Sequence, residues 1–538
     1  MKRANFYLKN TGSDLPASIV VFLVALPLCL GIALASNAPL FSGIIAGIIG
    51  GIVIGSLSGS QLSVSGPAAG LTAIVSVAIL KLPAFDAFLL SVLICGALQI
   101  ILGFIKAGVI GDYIPNCVIK GMLAAIGLIL ILKQFPHLIG YDANFEGDES
   151  FKQINDENTF SGIIHAFRFI TPVAVLIGVI GLLFQISWEK FTAKKKGFVK
   201  LIPAPLIVVL AGIVINEFFK NNGAEYAIDP KHMVSIPVAE SASGFLSFFT
   251  LPDFNSFLNK DVWITGITLA LVASLETLLS IEAVDDLDPY QRVTNKEREL
   301  KAQGIGNMIS GLIGGLPITS VIVRSSANVN GGAKTKMSAI YHGVLLLVCV
   351  AFIPGILNLV PKASLAAILI YTGYKLAKPS LFKLHYKKGW DQFLPFVITI
   401  AAILLTDLLI GILIGIGVGL FFVVRSNFKT SVFIVHDHNK YLFRLRKDVS
   451  FLNKPALKNK LEEIPEESSV LIDATRADFI DKDIIEVIND FLRHAHLKNI
   501  KVEIKKSVNK PMHILIHDDY IMANLWRQEG ALQLTDKF

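Results

Sequence analysis

Charge is what this 538-residue chain has least of. Only 17% of its residues are Asp, Glu, Lys or Arg, and its mean hydropathy is +0.61, which excludes a soluble globular protein of this length. Cysteine is also scarce: Cys29, Cys95, Cys117 and Cys349 all fall inside apolar runs, so no disulfide framework or metal cluster is expected. No nucleophile–base pair stands out in those runs, which points away from a membrane enzyme, and no cofactor is expected. The net charge of +7 is gathered in particular loops, so it reads as membrane orientation and not as nucleic-acid binding.

Long apolar runs are what the chain does have. Spans of suitable length lie near residues 14–36, 39–58, 84–106, 115–135, 161–187, 202–219, 261–282, 303–317, 337–355, 356–376, 391–408 and 409–427. Met1-Lys2-Arg3 followed by an apolar stretch and Ala33-Leu34-Ala35 has the outline of a secretory signal, but the run is longer than a signal core and further spans follow at once. Two shorter elements, 67–80 and 319–330, bring the expected count to 14.

The first short element lies within SVSGPAAGLTAIVSVAIL, Ser63 to Leu80. Pro67 is suited to the first position of a helix, leaving an apolar run of 13 residues from Ala68 to Leu80. At about 1.5 Å per residue that reaches roughly 20 Å, too short for a hydrocarbon core of about 30 Å, so the expectation is a helix that starts inside the membrane.

Loop charges agree with both short elements counting as crossings. With a cytoplasmic N-terminus, the groups Lys190, Lys194, Lys195, Lys196, Lys200 and Lys378, Lys383, Lys387, Lys388 both fall on the cytoplasmic side. Asp142, Glu146, Asp148, Glu149, Asp156 and Glu157, opposed only by Lys152, then face outward, as does the nearly neutral loop 220–260. Both termini are expected in the cytoplasm of a cell whose inner membrane carries the protein.

The chain repeats itself. Asp14 and Asp261 open the first and eighth spans, 247 residues apart, and Pro67 and Pro317 mark the two short elements, 250 apart. Seven crossings separate each pair, so the second copy is inverted, with repeats at about 10–220 and 255–429. Short, Gly/Pro-interrupted segments at matching places in inverted halves point to a transporter's substrate site. Two helix N-termini meeting at mid-membrane leave N–H donors unpaired, and each carries about half a positive charge, so they favour an anion. Small residues let an ion approach the backbone there. The candidate substrate-binding set is Ser65, Gly66, Pro67, Ala68, Ala69, Thr319, Ser320 and Val321.

Arg324, within the second short element, is costly in a membrane unless it faces a polar interior or a counter-ion. It joins the substrate-binding set, with snorkelling to the interface as the plainer reading. Glu276, 15 residues after Asp261 in the eighth span, is either Arg324's structural partner or a carboxylate that binds the coupling proton or cation. Glu282, Asp285 and Asp286 lie nearer the span's end and read as interfacial.

DLPASIVVFLVALPLCLGIALAS, SGPAA, ETLLS followed by NKERELKAQGIGN, and GGLPITSVIVRSSANVNGGAKTK resemble the sulfate permease (SulP) family of inorganic anion transporters, over roughly residues 10–430. The resemblance implies an all-α membrane protein of 14 segments in a seven-plus-seven inverted repeat, with core and gate domains and an anion site between segments 3 and 10. It also implies secondary transport of sulfate, bicarbonate or a similar anion, driven by protons or sodium or by exchange, often in a homodimer. The family's first-span Gln is Leu28 here and its nearby aromatic is Ile32. The cation-binding Asp, Thr and Thr of a related sodium-coupled bicarbonate group correspond to Glu276, Ser280 and Ile322, and Ile322 cannot ligate sodium, which favours a proton. The family's frequent Gly in segment 10 is Ser320. An uncoupled anion channel, or a nucleobase–proton symporter of the same fold, are the alternatives.

Other features read as scaffold. Gly43, Gly47, Gly51 and Gly55, and Gly411, Gly415 and Gly419, recur at the spacing of close helix packing in membranes. Asp407 reads as a helix cap. Residues 430–538 change composition: KYLFRLRKDVSF, SSVLIDAT and NIKVEIKK alternate like strands, and 454–463 and 481–497 have helical period. This small cytoplasmic α/β domain resembles the STAS domain of the family through Asp473-Ala474-Thr475 and Phe479-Ile480-Asp481. Lys482 stands where a phosphorylatable Ser is usual, so no phospho-switch is expected, and His436, His438, His494 and His496 lack the spacing of a metal site.

Overall fold

The structure, a computed structural model, describes residues 2–144, 151, 158–192, 202–222, 228–238, 242–429, 432–507 and 515–517. Glu146, Asp148, Glu149, Lys152, Asp156 and Glu157, and Lys194, Lys195, Lys196 and Lys200, lie outside these residues. The chain divides into two compact units, residues 1–419 and 420–538.

In the first unit, helices stand at each position where the sequence places a segment. Among the described residues, seven are long and apolar enough to cross a membrane on length and composition alone. Prolines account for the main departures from the expected boundaries. The run 161–187 divides into Thr159–Ala166, capped by Asn158, and Pro172–Thr192. Pro172 cannot extend a helix that precedes it. Pro361 likewise caps Lys362–Leu376 and separates it from Pro354–Leu357. The ninth segment, Lys296–Ile313, begins seven residues before the expected 303, at the Asn295 cap, and stops at Gly314 with φ 96°. Lys296, Glu299 and Gln303 in its polar first turns are buried, which a reading by hydropathy misses.

Pro67 does not open a helix. It ends a three-residue strand, β1 (Ser65–Pro67), which pairs antiparallel with β2 (Ile318–Ser320) in the register Ser65↔Ser320, Gly66↔Thr319, Pro67↔Ile318. Backbone pairing at this depth satisfies N–H and C=O groups that hydrocarbon cannot, and this favours strands over earlier helix starts. The half-helices begin after the strands: Ala69–Leu71 is a 3₁₀ turn leading into Thr72–Lys81, and Ile322–Asn330 follows Val321.

Glycine makes the crossing possible at two places. The helix Leu40–Ile49 continues through a π-helical turn, Gly50–Ile54, and a Cβ on Gly50 would stand 2.2 Å from the Ser65 carbonyl oxygen of β1. A Cβ on Gly51 would stand 2.6 Å from Gly343 Cα, so two backbones touch there. The main apolar core of this unit runs from Val20 to Ile412, and Val173, Ala174 and Ile177 belong to a smaller cluster with Ile228, Met233 and Ala363.

The second unit is a four-stranded sheet, β3 (Val432–Asp437), β4 (Lys440–Val449), β5 (Ser469–Ile480) and β6 (Lys501–Lys505), in that order. The first pair is antiparallel and the others parallel, with helices Lys454–Glu462 and Lys482–His494 completing its core. Asp481 caps the second helix, its side chain accepting from Asp483 N. Strand β3 is absent from the sequence reading; its Val432 and Ile434 pack against the core of this unit, while Phe433, Val435, His436 and Asp437 are exposed.

Candidate functional site

The crossing of β1 and β2 is held by polar side chains of surrounding helices. Gln303 Nε2 donates to Ser65 Oγ at 2.7 Å. Asn307 binds both backbone groups of Ile318: its Oδ1 accepts from Ile318 N at 2.6 Å and its Nδ2 donates to Ile318 O at 3.0 Å. That same amide donates to Gln99 Oε1 at 2.7 Å. Ser320 N donates to Thr277 Oγ1 at 3.3 Å, Ser63 and Ser320 hydroxyls meet at 2.6 Å, and Val64 N donates to Ser325 Oγ at 2.9 Å. Glu299 is fully buried and accepts from Ser58 Oγ, from Gly59 N at 3.0 Å and from Gln303 Nε2 at 3.1 Å. Each bond removes a penalty of several kcal/mol per unsatisfied group in hydrocarbon, so the network fixes the strands rigidly.

Of the residues predicted to meet substrate, Ser65, Gly66, Pro67, Ala68, Thr319, Ser320 and Arg324 are buried, whereas Ala69 and Val321 are half-buried. Those two lie where each strand gives way to its half-helix. The starts of the half-helices, Thr72 and Ile322, are 250 residues apart, as Pro67 and Pro317 are.

Arg324 does not snorkel. It is the largest fully buried side chain among the described residues, and its Nη2 donates to Pro67 O at 3.5 Å. Among the described residues its Nε and Nη1 have no hydrogen-bond partner. Nη1 stands 1.9 Å from where a Cβ on Gly66 would lie, so the guanidinium rests directly against β1. Gly47 packs against the same group: a Cβ there would meet Cys29 Sγ at 2.7 Å and Arg324 Nη1 at 3.8 Å. His342, fully buried and without a hydrogen bond to either ring nitrogen among the described residues, lies within electrostatic reach of this guanidinium. A buried cation with donors left over is strongly unfavourable until an anion or another acceptor meets it.

Glu276 lies against the next turn of the same strand-to-helix passage. Its carboxylate stands 3.1 Å from where a Cβ on Gly70 would lie. With Ser280, Gly70 and Met122 it lines a cavity of about 10 Å³, closed by Leu408 and Leu409. That is about the room of one water. The structure therefore brings Glu276 and Ser280 together, and it places Arg324 and Glu276 at Gly66 and Gly70, four residues apart on one chain passage. Ile322 is buried and apolar, without a ligating atom in its side chain. Glu282 pairs with Lys296 at 2.6 Å and Asp286 with Lys120 at 2.8 Å, so these carboxylates tie helices together.

Gln99, Thr277, Glu299, Gln303, Asn307 and His342 carry much of this geometry, and the sequence reading gave none of them a role. Glu299, Gln303 and Asn307 recur every four residues, one face of a helix, and that spacing was the available signal.

Relatives resemble the chain over most of its length. The bicarbonate transporter BicA of Picosynechococcus sp. is 24% identical over 428 residues, covering 77% of this chain and 70% of its own. The chloroplastic sulfate transporter 4.1 of Arabidopsis thaliana is 22% identical over 543 residues, covering 94% of this chain and 76% of its own. The solved structure of SLC26A9 superposes with a TM-score of 0.62 at 15% identity, covering 98% of this chain and 91% of that one, a likeness of fold. With residues 12–401 matching the sulfate permease family, this chain of crossed half-helices belongs to that family of membrane transporters.

Proposed function

We propose that the protein is a secondary transporter of an inorganic anion of the sulfate or bicarbonate class, coupled to protons or working by exchange. The observation that carries this reading is Arg324, fully buried beside β1 with two guanidinium nitrogens lacking hydrogen-bond partners among the described residues. Two half-helix N-termini add about +0.5 each to its +1, giving about +2, or about +1 when Glu276 is ionised. The anion contacts the backbone around Ser65, Gly66, Pro67, Ala68 and Ala69 and around Thr319, Ser320 and Val321, with Arg324 as its charge partner. Glu276, with Ser280 beside it, holds the coupling proton.

The family's named sulfate and bicarbonate transporters support the substrate class. The protein works in the cytoplasmic membrane, with both termini and residues 430–538 in the cytoplasm, as a homodimer. Radiolabelled sulfate and bicarbonate uptake into proteoliposomes, with and without a pH or sodium gradient, tests the reading. Accumulation of either anion in response to an imposed gradient supports it. Currents far above transporter turnover with no accumulation would make it a channel, and competition by purines or pyrimidines would make it a nucleobase symporter.

A further inference from the structure

A second cavity, of about 280 Å³, lies away from β1 and β2. It is bounded by Pro16 and Val20 of the first helix, by Ala327 and Asn330 at the C-terminal end of the second half-helix, and by Pro172–Thr192 and Lys362–Leu376. Ala327 is about one turn beyond Arg324, so the cavity lies toward the C-terminal end of that half-helix.

Its donors converge. The Lys375 ammonium, 16% exposed, holds Glu189 Oε2 at 2.5 Å, and Tyr371 OH donates to that same oxygen at 2.5 Å. Lys375 Nζ also lies 4.7 Å over the Tyr371 ring. Gln185, 2% exposed, lines the cavity, and its Nε2 has no hydrogen-bond partner among the described residues. The two charges are unequally placed: Glu189 is 51% exposed, so its carboxylate can pass into water at little cost, whereas the more buried ammonium needs a negative partner. The C-terminal end of the half-helix carries about half a negative charge, which repels an anion on this route unless a cation offsets it.

We propose that this cavity is a second, transient binding site for a small inorganic anion, with Lys375, Tyr371 and Gln185 as donors and Glu189 as a tethered carboxylate that the anion displaces. The volume admits such an anion with part of its hydration shell, a water taking about 30 Å³. The choice of ligand rests on the anion-transport reading; the presence of the site does not.

Trp188 lines the cavity, so iodide quenching of its fluorescence reports an anion there directly. The measurement uses the full chain in detergent, with Trp188→Phe defining the signal that belongs to Trp188. The wild type should show a saturable component that sulfate competes away. Glu189→Gln should tighten it about two- to five-fold, the range over which a partly exposed ion pair competes. Lys375→Gln should abolish it, as should the Glu189→Gln, Lys375→Gln pair, which excludes a general charge effect. Tyr371→Phe should weaken it, and serves if the Lys375 variants do not fold. Arg324→Ala should leave it in place even where uptake is lost, separating this site from the one at β1. Unsaturable quenching in the wild type, or quenching unchanged by both Glu189→Gln and Tyr371→Phe, would overturn the proposal and leave Glu189 and Lys375 as a clamp between helices.

Discussion

The Asp261 carboxylate holds the Lys81 ammonium at 2.6 Å, tying the start of the eighth segment to the end of the first half-helix. The other repeat has its counterpart. Asp14, in the first segment, accepts from Lys334 N at 2.7 Å, Thr335 N at 3.0 Å and Thr335 Oγ1 at 2.5 Å, just past the second half-helix. Each repeat thus anchors the far end of the other's half-helix with an acidic residue, and the spacing of Asp14 and Asp261 seen in the sequence has this structural meaning. Burial separates the two: Asp14 is fully buried, whereas the Lys81–Asp261 pair is exposed.

That difference sets unequal costs. Asp14→Ala removes a buried acceptor from three donors and should cost about 2–4 kcal/mol, whereas Asp261→Ala should cost less than about 1 kcal/mol. Thermal unfolding of both variants in detergent measures this. Equal losses would show that the exposed pair contributes as much as the buried one.

Gly66 is required by Arg324. A Cβ at this position would stand 1.9 Å from Nη1, so Gly66→Ala must push the guanidinium by about 1 Å or more. Displacements of this size at a binding centre commonly cost about a hundred-fold, so uptake should fall about ten- to hundred-fold. Gly12→Ala, with nothing within 4 Å of its Cβ, is the control and should leave uptake unchanged. Normal uptake by Gly66→Ala would place the anion away from Arg324.

Outside the spans, Asp142 links two loops. Its nearly buried carboxylate accepts from Nδ1 of His137 and from Nδ1 of His232, the latter at 2.5 Å. Burial alone would raise its pKa, but the charge and hydrogen bond of His137, with the hydrogen bond of His232, hold it well below the ordinary carboxylate range. A depressed folded-state pKa contributes stability above the unfolded value of about 3.9 and loses it as pH falls toward the folded one. The stability gap between the wild type and Asp142→Asn, about 2 kcal/mol, should therefore shrink as pH falls below about 4. A gap that stays unchanged below pH 4 would assign the loss of stability in acid to another group.

Much of this site was legible because membrane burial leaves few explanations for a polar residue. Ser65-Gly66-Pro67-Ala68, Arg324 and Glu276 were visible as interruptions in apolar runs, and the structure brings their segments together. What hydropathy could not show was backbone pairing. Pro67 has a propensity for a helix start, yet β1 needs β2, 251 to 255 residues away in the register, and only tertiary contact makes a strand the better conformation. The buried stripe of Glu299, Gln303 and Asn307 was read past for a related reason: polar residues at the beginning of a helix look interfacial unless it is known what they meet. The π-helical turn at Gly50–Ile54 has no sequence signature beyond its glycines, and it follows from close approach to Ser65.

The proposed role of Glu276 as holder of the coupling proton is open to a direct test. Its carboxylate lies beside Gly70, and Arg324 lies beside Gly66, so a proton gained at Glu276 raises the positive field on an anion held along this passage. Protonated Glu276 leaves a site of about +2, matched to sulfate, and ionised Glu276 leaves about +1, matched to a monovalent anion such as bicarbonate. Sulfate entry should therefore bring a proton with it. Glu276→Gln should keep sulfate binding and counterflow, or tighten them, while an inward proton gradient no longer drives accumulation. Arg324→Ala should weaken anion binding at every pH, because it removes a desolvated charge that does not depend on the proton. Sulfate uptake and counterflow in proteoliposomes from pH 5 to 8 separate the two. If Glu276→Gln still concentrates sulfate under an inward proton gradient, the proton travels on another group, and Glu276 is then a structural element of the packing around Gly70.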